Sequence, residues 1–437
     1  MDKIGIGIIG FGTVGTGVVK VLEENRDLIR ERLGVELYVK RIACRDRTKK
    51  RAVEVDPSLI TTSADEVIRD PEVSIVVELV GGTDRAKEFV LSAIEEGKPV
   101  VTANKALLSE YGREVFGLAT QKGVDVGFEA SVGGGIPIIK ALKEGLCANR
   151  IESITGIING TANYILTRMT EEGGRFEDVL KDAQQKGYAE ADPTYDIEGI
   201  DTAHKLAILV NIAFGTWIGL NDIYTEGISH ITELDVEFAR ELGYRIKLLA
   251  IAKCEQDRVE ARVHPTMIPT GHPLSAVGGV YNAVHIQGNA VGSVMLYGMG
   301  AGMMPTASAV VSDIMDIARN MLKGVAAKVP PLGYIQQNMK ELEVRPMDTI
   351  DVPYYLRFSA IDRPGVLSRI SGVFGAHNIS IASVIQKGRD IGGAVPLVII
   401  THHAKEKELR AALGEIEKLD VVTAKPVYIR IEESSGE

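Results

Sequence analysis

K-I-G-I-G-I-I-G-F-G-T-V-G, residues 3–15, decides the fold. After Lys3 the run to Ile9 is small and apolar, the pattern of a strand buried on both faces. Gly10, Gly12 and Gly15 then make G-x-G-x-x-G, and a helical pattern follows through Leu33. A strand, this glycine turn and a helix form a dinucleotide-binding arrangement: the glycines let backbone approach a pyrophosphate, which sits on the helix N-terminus.

Residues 36–44 read as the next strand and end in Cys44-Arg45-Asp46-Arg47, with Lys49, Lys50 and Arg51 close behind. A carboxylate at this point would bind the ribose of NAD, whereas an arginine suits the extra phosphate of NADP. Arg45 therefore favours NADP, and Asp46 leaves NAD open. Further strand runs at 74–80, 99–102 and 124–128 alternate with helical runs, which predicts a doubly wound parallel sheet. Lys105 follows one of these strand ends, where such sheets bind ligands. The turn Glu129-Ala130-Ser131-Val132-Gly133-Gly134-Gly135 suits either a monovalent cation or a plain tight connection.

A second informative stretch is E-A-D-P-T-Y-D-I-E-G-I-D-T-A-H-K-L-A-I-L-V, residues 190–210. Pro193 and Gly199 predict a loop, and a helix starts near Gly199. Asp201 and Lys205 are i, i+4 neighbours on that helix. A surface ion pair is the plain explanation, but the unbroken apolar run 206–210 predicts burial nearly all round. Carboxylates and a lysine entering a buried helix are costly unless paired or used. The stretch therefore reads as an active-site wall, with carboxylates for a cationic substrate group and a lysine to move a proton.

The rest of the chain narrows the class. Its 437 residues carry a net charge of -10, and no basic run with interleaved aromatics is present, which argues against nucleic-acid binding. Three separated cysteines argue against a disulfide framework or zinc site. Without a signal-peptide pattern or a membrane-length apolar run, a cytoplasmic location is expected. Segments 245–253 and 260–269 fit strand or helix, and 277–297 strands and turns. A second glycine-rich helix start lies at residues 298–302. Residues 328–353 read as a linker. Beyond it, strands and helices in the order βαββαβ predict a ferredoxin-like module. A module behind a linker predicts that removing residues 350–437 leaves a working catalytic part.

These residues resemble the homoserine dehydrogenase family with a C-terminal ACT domain. The resemblance rests on G-F-G-T-V-G-T-G-V near the start, T-A-N-K at 102–105, E-A-S-V-G-G-G-I-P at 129–137 and N-G-T-A-N-Y-I-L at 159–166. It extends through G-Y-A-E-A-D-P-T-Y-D-I-E-G-I-D-T-A-H-K-L-A-I-L at 187–209 and G-A-G-M-M-P-T-A-S-A-V at 300–310. In the tail it rests on D-R-P-G-V-L at 362–367 and H-N-I-S-I at 377–381. No aspartokinase segment precedes the first strand, so the single-function form is expected. The implied domains are 1–130 with about 303–327 for the dinucleotide, 131–302 for substrate and dimerisation, and 354–437 for ACT regulation.

The implied reaction interconverts L-aspartate 4-semialdehyde and L-homoserine with NAD(P), serving threonine and methionine biosynthesis. By resemblance Lys205 donates the proton, Lys105 binds or polarises substrate, and Asp201 orients Lys205. Glu190 and Asp196 hold the substrate ammonium. Cofactor contacts carry over to Phe11, Thr13, Val14, Lys105 and Gly302, beside Gly10, Gly12, Gly15 and Arg45. A sodium-type cation is expected at Glu129, Val132, Gly134 and Ile136. L-threonine is the implied effector, at Gly365, Asn378 and Ile379, and ACT pairing implies a homodimer or larger homo-oligomer. Two other classes compete. A non-catalytic amino-acid sensor leaves the two lysines without a task, and a 2-hydroxy-acid dehydrogenase calls for a histidine base with an arginine.

Overall fold

The computed structural model describes residues 3–387 and 393–433. The outer ends of the first and last expected domains, residues 1–2 and 434–437, lie outside these. The first sheet has six parallel strands: β1 (Lys3–Ile9), β2 (Glu36–Ala43), β3 (Ile60–Thr61), β4 (Ile75–Glu78), β5 (Val100–Thr102) and β6 (Val126–Gly127). Their order, β3-β2-β1-β4-β5-β6, places a topological switch point between β1 and β4. Gly10 leaves β1 with φ of 110°, and a Cβ there would lie 2.5 Å from the Leu79 carbonyl oxygen at the end of β4. Only glycine fits that gap. The helical run after it is two helices, Thr13–Glu24 and Arg26–Leu33, divided at Asn25. The helix Met303–Leu322 returns to this sheet: its Ala307, Val310 and Ile314 share a core with Ile4, Ile6 and Val18.

Strands β7 (Ile151–Ile157), β8 (Tyr224–Thr225), β9 (Tyr244–Glu255), β10 (Arg258–Pro269), β11 (Tyr281–Gly288) and β12 (Gly292–Met299) belong to a second sheet. The two segments that fitted strand or helix are both strands, β9 and β10, paired antiparallel along their whole length. In β9 the even-numbered residues Ile246, Leu248, Ala250 and Ala252 join the main core, and in β10 the odd-numbered Val259, Ala261 and Val263 do. Helices Gly160–Glu171 and Ile200–Phe214 contribute Ile165, Leu166, Leu206 and Leu209 to the same core.

Residues 328–353 are packed, unlike a free linker. They contain β13 (Glu343–Val344), parallel to β10, and β14 (Asp351–Val352), while Leu332 and Ile350 are buried. The tail follows as β15 (Tyr354–Ile361), β16 (Ile381–Gln386), β17 (Ala394–Thr401), β18 (Ala404–Lys405) and β19 (Val427–Ile431), with helices Val366–Ala376 and Glu406–Ile416. The βαββαβ expectation holds, with order β19-β15-β17-β16. Separability does not. β19 pairs in parallel with β10, Thr266 opposite Arg430, so both modules share one eleven-stranded sheet.

Buried charges bolt this junction. Arg430, 1% exposed, donates to Glu406 Oε2 at 2.9 Å and to Glu226 Oε2 at 2.8 Å. Arg262 donates to Glu432 Oε2 at 2.9 Å. Arg357 holds both oxygens of Asp235, at 2.6 and 2.9 Å, and the Tyr355 hydroxyl adds a bond at 3.1 Å. Removing one member of such a pair leaves a buried charge uncompensated, at about 3–5 kcal/mol.

Candidate active site

Two adjoining cavities open at the switch point. One, about 960 Å³, is lined by Gly10, Phe11, Gly12, Arg45, Asp46 and Arg51 among others. The other, about 540 Å³, is lined by Val14, Asn104, Lys105, Glu110, Tyr195 and His204 among others. Leu79 and Gly81 line both, so a long ligand can run from one to the other.

In the larger cavity the glycine turn supplies the backbone cradle, with Thr13 opening its helix. Arg51 stacks over the Phe11 ring at 4.5 Å and donates to the Phe11 carbonyl at 2.9 Å. Asp46 turns inward on its own loop: Oδ1 accepts from the Thr48 amide and hydroxyl at 2.8 and 2.7 Å. Arg45, exposed, lines the cavity together with Lys49, Arg51 and Arg85. Gly302 stands at the N-terminus of the helix Met303–Leu322 with φ of 119°.

In the smaller cavity Lys105 opens the helix Lys105–Lys122. A cation disfavours the positive end of a helix dipole, so its position breaks a local rule. Asn104 caps that helix, accepting from the Leu107 amide at 3.1 Å, and donates to the Gly82 carbonyl at 2.6 Å. Lys105 Nζ lies 3.1 Å from Asp201 Oδ1. The other oxygen of Asp201 accepts from Lys205 Nζ at 2.6 Å and from Asn159 Nδ2 at 2.9 Å. Lys205 also donates to the Ile158 carbonyl at 2.7 Å, leaving one of its three N–H groups uncommitted. Burial alone would raise the Asp201 carboxyl, but Lys205 and Lys105 overcome it and hold its pKa at about 2. One buried anion thus gathers two lysines.

Asp196 joins this cluster, because Asn159 Nδ2 also donates to its Oδ1 at 2.8 Å. Glu190 does not join it: it is exposed, and among the described residues its main-chain carbonyl accepts from Gln184 Nε2 at 3.1 Å while its carboxylate has no partner. Sequence reasoning passed over three residues here. Asn159 caps the helix Gly160–Glu171 and ties both aspartates together; its N-cap position was the available signal. His204 lies 2.5 Å from Ser109 Oγ and stacks on Tyr195 at 5.7 Å. Burial and then the Lys105 charge lower its pKa, with Asp201 acting against them. Both residues lie inside the 190–210 stretch, but spacing gives no hint of the long-range contact with Ser109.

The turn expected to hold a cation has another use for its acid. Glu129 Oε1 and Oε2 accept from the amides of Ile139 and Lys140, each at 2.8 Å, and so cap the helical segment that follows. Val132 and Ile136 are buried apolar side chains, and a Cβ on Gly134 would sit 2.6 Å from the Gly300 carbonyl. Of the side chains at Glu129, Val132, Gly134 and Ile136 only the Glu129 carboxylate could meet a cation, so the other three positions could contribute only main-chain carbonyls. No group of three or more His, Cys, Asp or Glu converges on a metal position among the described residues.

In the tail, Gly365 precedes its helix with φ of 89° and Asn378 has φ of 57°. The Ile379 amide is committed to the Phe374 carbonyl at 2.9 Å, and its side chain is buried, so the amide expected to bind an effector is in use. Among the described residues no helix is long and apolar enough to cross a membrane.

Comparison with known proteins agrees with this geometry. The family model "Homoserine dehydrogenase, NAD binding domain" matches residues 10–129, "Homoserine dehydrogenase" residues 137–315 and "ACT domain" residues 354–421. The homoserine dehydrogenase of Neisseria gonorrhoeae is 48% identical over 99% of both chains, and that of Pseudomonas aeruginosa 47% identical over 99% of this chain and 100% of its own. A crystal structure of a homoserine dehydrogenase from Thiobacillus denitrificans superposes with a TM-score of 0.93 at 49% identity, covering 99% of this chain and 98% of that one. A hyperthermophilic archaeal homoserine dehydrogenase in complex with NADPH has a TM-score of 0.62 at 30% identity, covering 74% of this chain and 98% of its own. With its NAD-binding domain, its central domain and its tail all matched, and with relatives aligned along nearly its whole length, the chain belongs to the homoserine dehydrogenase family of NAD(P)-dependent oxidoreductases.

Proposed function

We propose that this chain interconverts L-aspartate 4-semialdehyde and L-homoserine with NADPH as its favoured cofactor, supplying threonine and methionine biosynthesis. The observation that carries it is the pair of lysines on one buried aspartate, beside a cavity continuous with the dinucleotide cleft. Gly10, Phe11, Gly12, Thr13, Val14, Gly15, Lys105 and Gly302 are assigned to the cofactor, and Arg45 to its 2′-phosphate. The bound nicotinamide supplies the hydride.

The protein's share of the chemistry is the proton and the alignment. Lys205 gives its uncommitted proton to the developing alkoxide in reduction and takes it back in oxidation. Asp201, with a pKa of about 2, is no proton source near neutrality; it orients both lysines. Lys105 polarises the carbonyl oxygen or steadies the substrate. Asp196 holds the substrate ammonium, and Glu190 reaches the same group only if substrate draws its loop inward. Nothing in the mechanism is routed through a cation.

An amino-acid effector, L-threonine, is assigned to the ACT domain near Gly365 and Asn378, with the committed Ile379 amide left out of the contact. A homodimer is supported by the exposed apolar row Met295, Tyr297 and Met299 on edge strand β12, beside Tyr281, which stacks on Tyr297. Replacing Lys205 by Ala tests the site. Turnover should fall by about 10²–10⁴-fold while NADPH binding, followed by fluorescence titration, stays unchanged. A variant within about threefold of the parent removes Lys205 from the role of donor.

A further inference from the structure

Outside the cavities at the switch point, the first residues of β9 carry two cations on one face, Arg245 and Lys247. Lys247 is 4% exposed. Its Nζ donates to the Val277 carbonyl at 2.6 Å and to Asn163 Oδ1 at 3.1 Å, which leaves one N–H. Burial, then the neighbouring Arg245 charge, lowers its pKa to about 8. Arg245 is half-buried, and its Nη1 is buried with no hydrogen-bond partner among the described residues. Among the described residues no carboxylate forms an ion pair with either cation. A buried guanidinium nitrogen left unmet is rare in native proteins and implies a partner.

Both side chains line a cavity of about 270 Å³, with Thr167, Thr170, Glu171 and Ser275. The Thr170 and Ser275 hydroxyls already donate, to the Leu166 and Thr270 carbonyls. Thr167 Oγ accepts from the Gly279 amide at 3.2 Å, so its own hydrogen is uncommitted. Glu171 is exposed and its charge offsets only one of the two cations. Three donors therefore line a small polar cavity that is short of negative charge. Its volume lies just below the usual range for organic-ligand pockets, about 300–1,000 Å³, which excludes a nucleotide.

We infer that Arg245, Lys247 and Thr167 form a binding site for a small oxoanion, either inorganic phosphate or the carboxylate of a small metabolite. Guanidinium and ammonium together suit such oxygens by charge-assisted hydrogen bonds. The site is distinct from the cavities at the switch point, sharing no lining residue with them.

The test is calorimetric titration of the intact protein with phosphate and, separately, acetate, at constant ionic strength in chloride. A crystal soaked in sulfate accompanies it. Saturable binding should weaken at least about tenfold in Arg245→Gln, a loss of about 1.4 kcal/mol. Sulfate density should touch Arg245 and Lys247. Phosphate dependence points to the inorganic source and acetate dependence to a carboxylate, and either supports the site. Equal titrations of parent and variant, water alone between the two cations, or a side chain of a second copy seated there would each overturn it. The soak of the unmodified protein decides the matter even if the variant folds poorly.

Discussion

At the residue scale, the arrangement explains why Arg45 and not Asp46 should decide cofactor choice. Asp46 spends an oxygen on Thr48, whereas Arg45 lines the cleft with Lys49, Arg51 and Arg85. Arg45→Asp should therefore raise the KM for NADPH by tenfold or more, the scale of one lost charged hydrogen bond, ~1.5–3 kcal/mol, and leave NADH nearly unchanged. Initial rates with both cofactors check this, and equal losses would give Arg45 a different role. Local spacing made part of the site legible. Gly10, Gly12 and Gly15 announce the turn, and Asp201 with Lys205 announces an i, i+4 pair. The contacts that complete it are non-local. Asn159 reaches Asp201 across 42 positions, and Ser109 reaches His204 across 95. No periodicity in the chain encodes such meetings, so the N-cap position of Asn159 was legible but its contact with Asp201 was not, and His204 gave no signal. Glu190 shows the opposite error: a carboxylate close in sequence to the cluster need not face it.

At the element scale, the turn after β6 is held by the helix Met303–Leu322. Asp313 on that helix accepts from the Glu129 amide at 2.8 Å, and Glu129 in turn caps the segment beginning at Ile138. Burial, then the Glu129 charge, raises the Asp313 pKa to about 8, with Lys143 acting against them. A carboxyl whose folded pKa is raised destabilises the fold when ionised. The penalty is absent below about pH 4, grows through the interval and is complete above about pH 8. Asp313→Asn keeps the acceptor and removes the charge. It should match the parent near pH 4 and be more stable near pH 9, by about 1–3 kcal/mol. Thermal unfolding at both pH values checks this, and a less stable variant near pH 9 would show that Lys143 already neutralises the charge. The elements themselves were largely legible, since apolar runs and glycine turns mark strand and helix ends. The role of the 129–137 turn was not, because the sequence does not say that both oxygens of Glu129 meet backbone amides.

At the scale of the whole molecule, the ACT module is part of the catalytic sheet. This was hidden in the sequence because the pairing of β19 with β10 joins residues more than 150 positions apart. The same junction gives a route from tail to site. Arg430 holds Glu226, the Glu226 amide donates to Val263, and the Ile228 amide donates at 2.8 Å to Ile197, beside Asp196. Removing residues 350–437 would take Arg357 from Asp235, Arg430 from Glu226 and Glu432 from Arg262 at once, leaving Arg262 paired with Glu260. Each broken buried pair costs about 3–5 kcal/mol against a total stability of about 5–15 kcal/mol. The truncated chain should therefore be insoluble or lack a native circular-dichroism spectrum, and a soluble, fully active truncation would contradict the shared-sheet account. Steady-state oxidation of NADPH by the intact chain in the presence of L-aspartate 4-semialdehyde is the decisive measurement. Turnover should be saturable and, at low cofactor concentration, faster with NADPH than with NADH. A correctly folded protein that binds NADPH and shows no turnover with this aldehyde would contradict the proposed reaction.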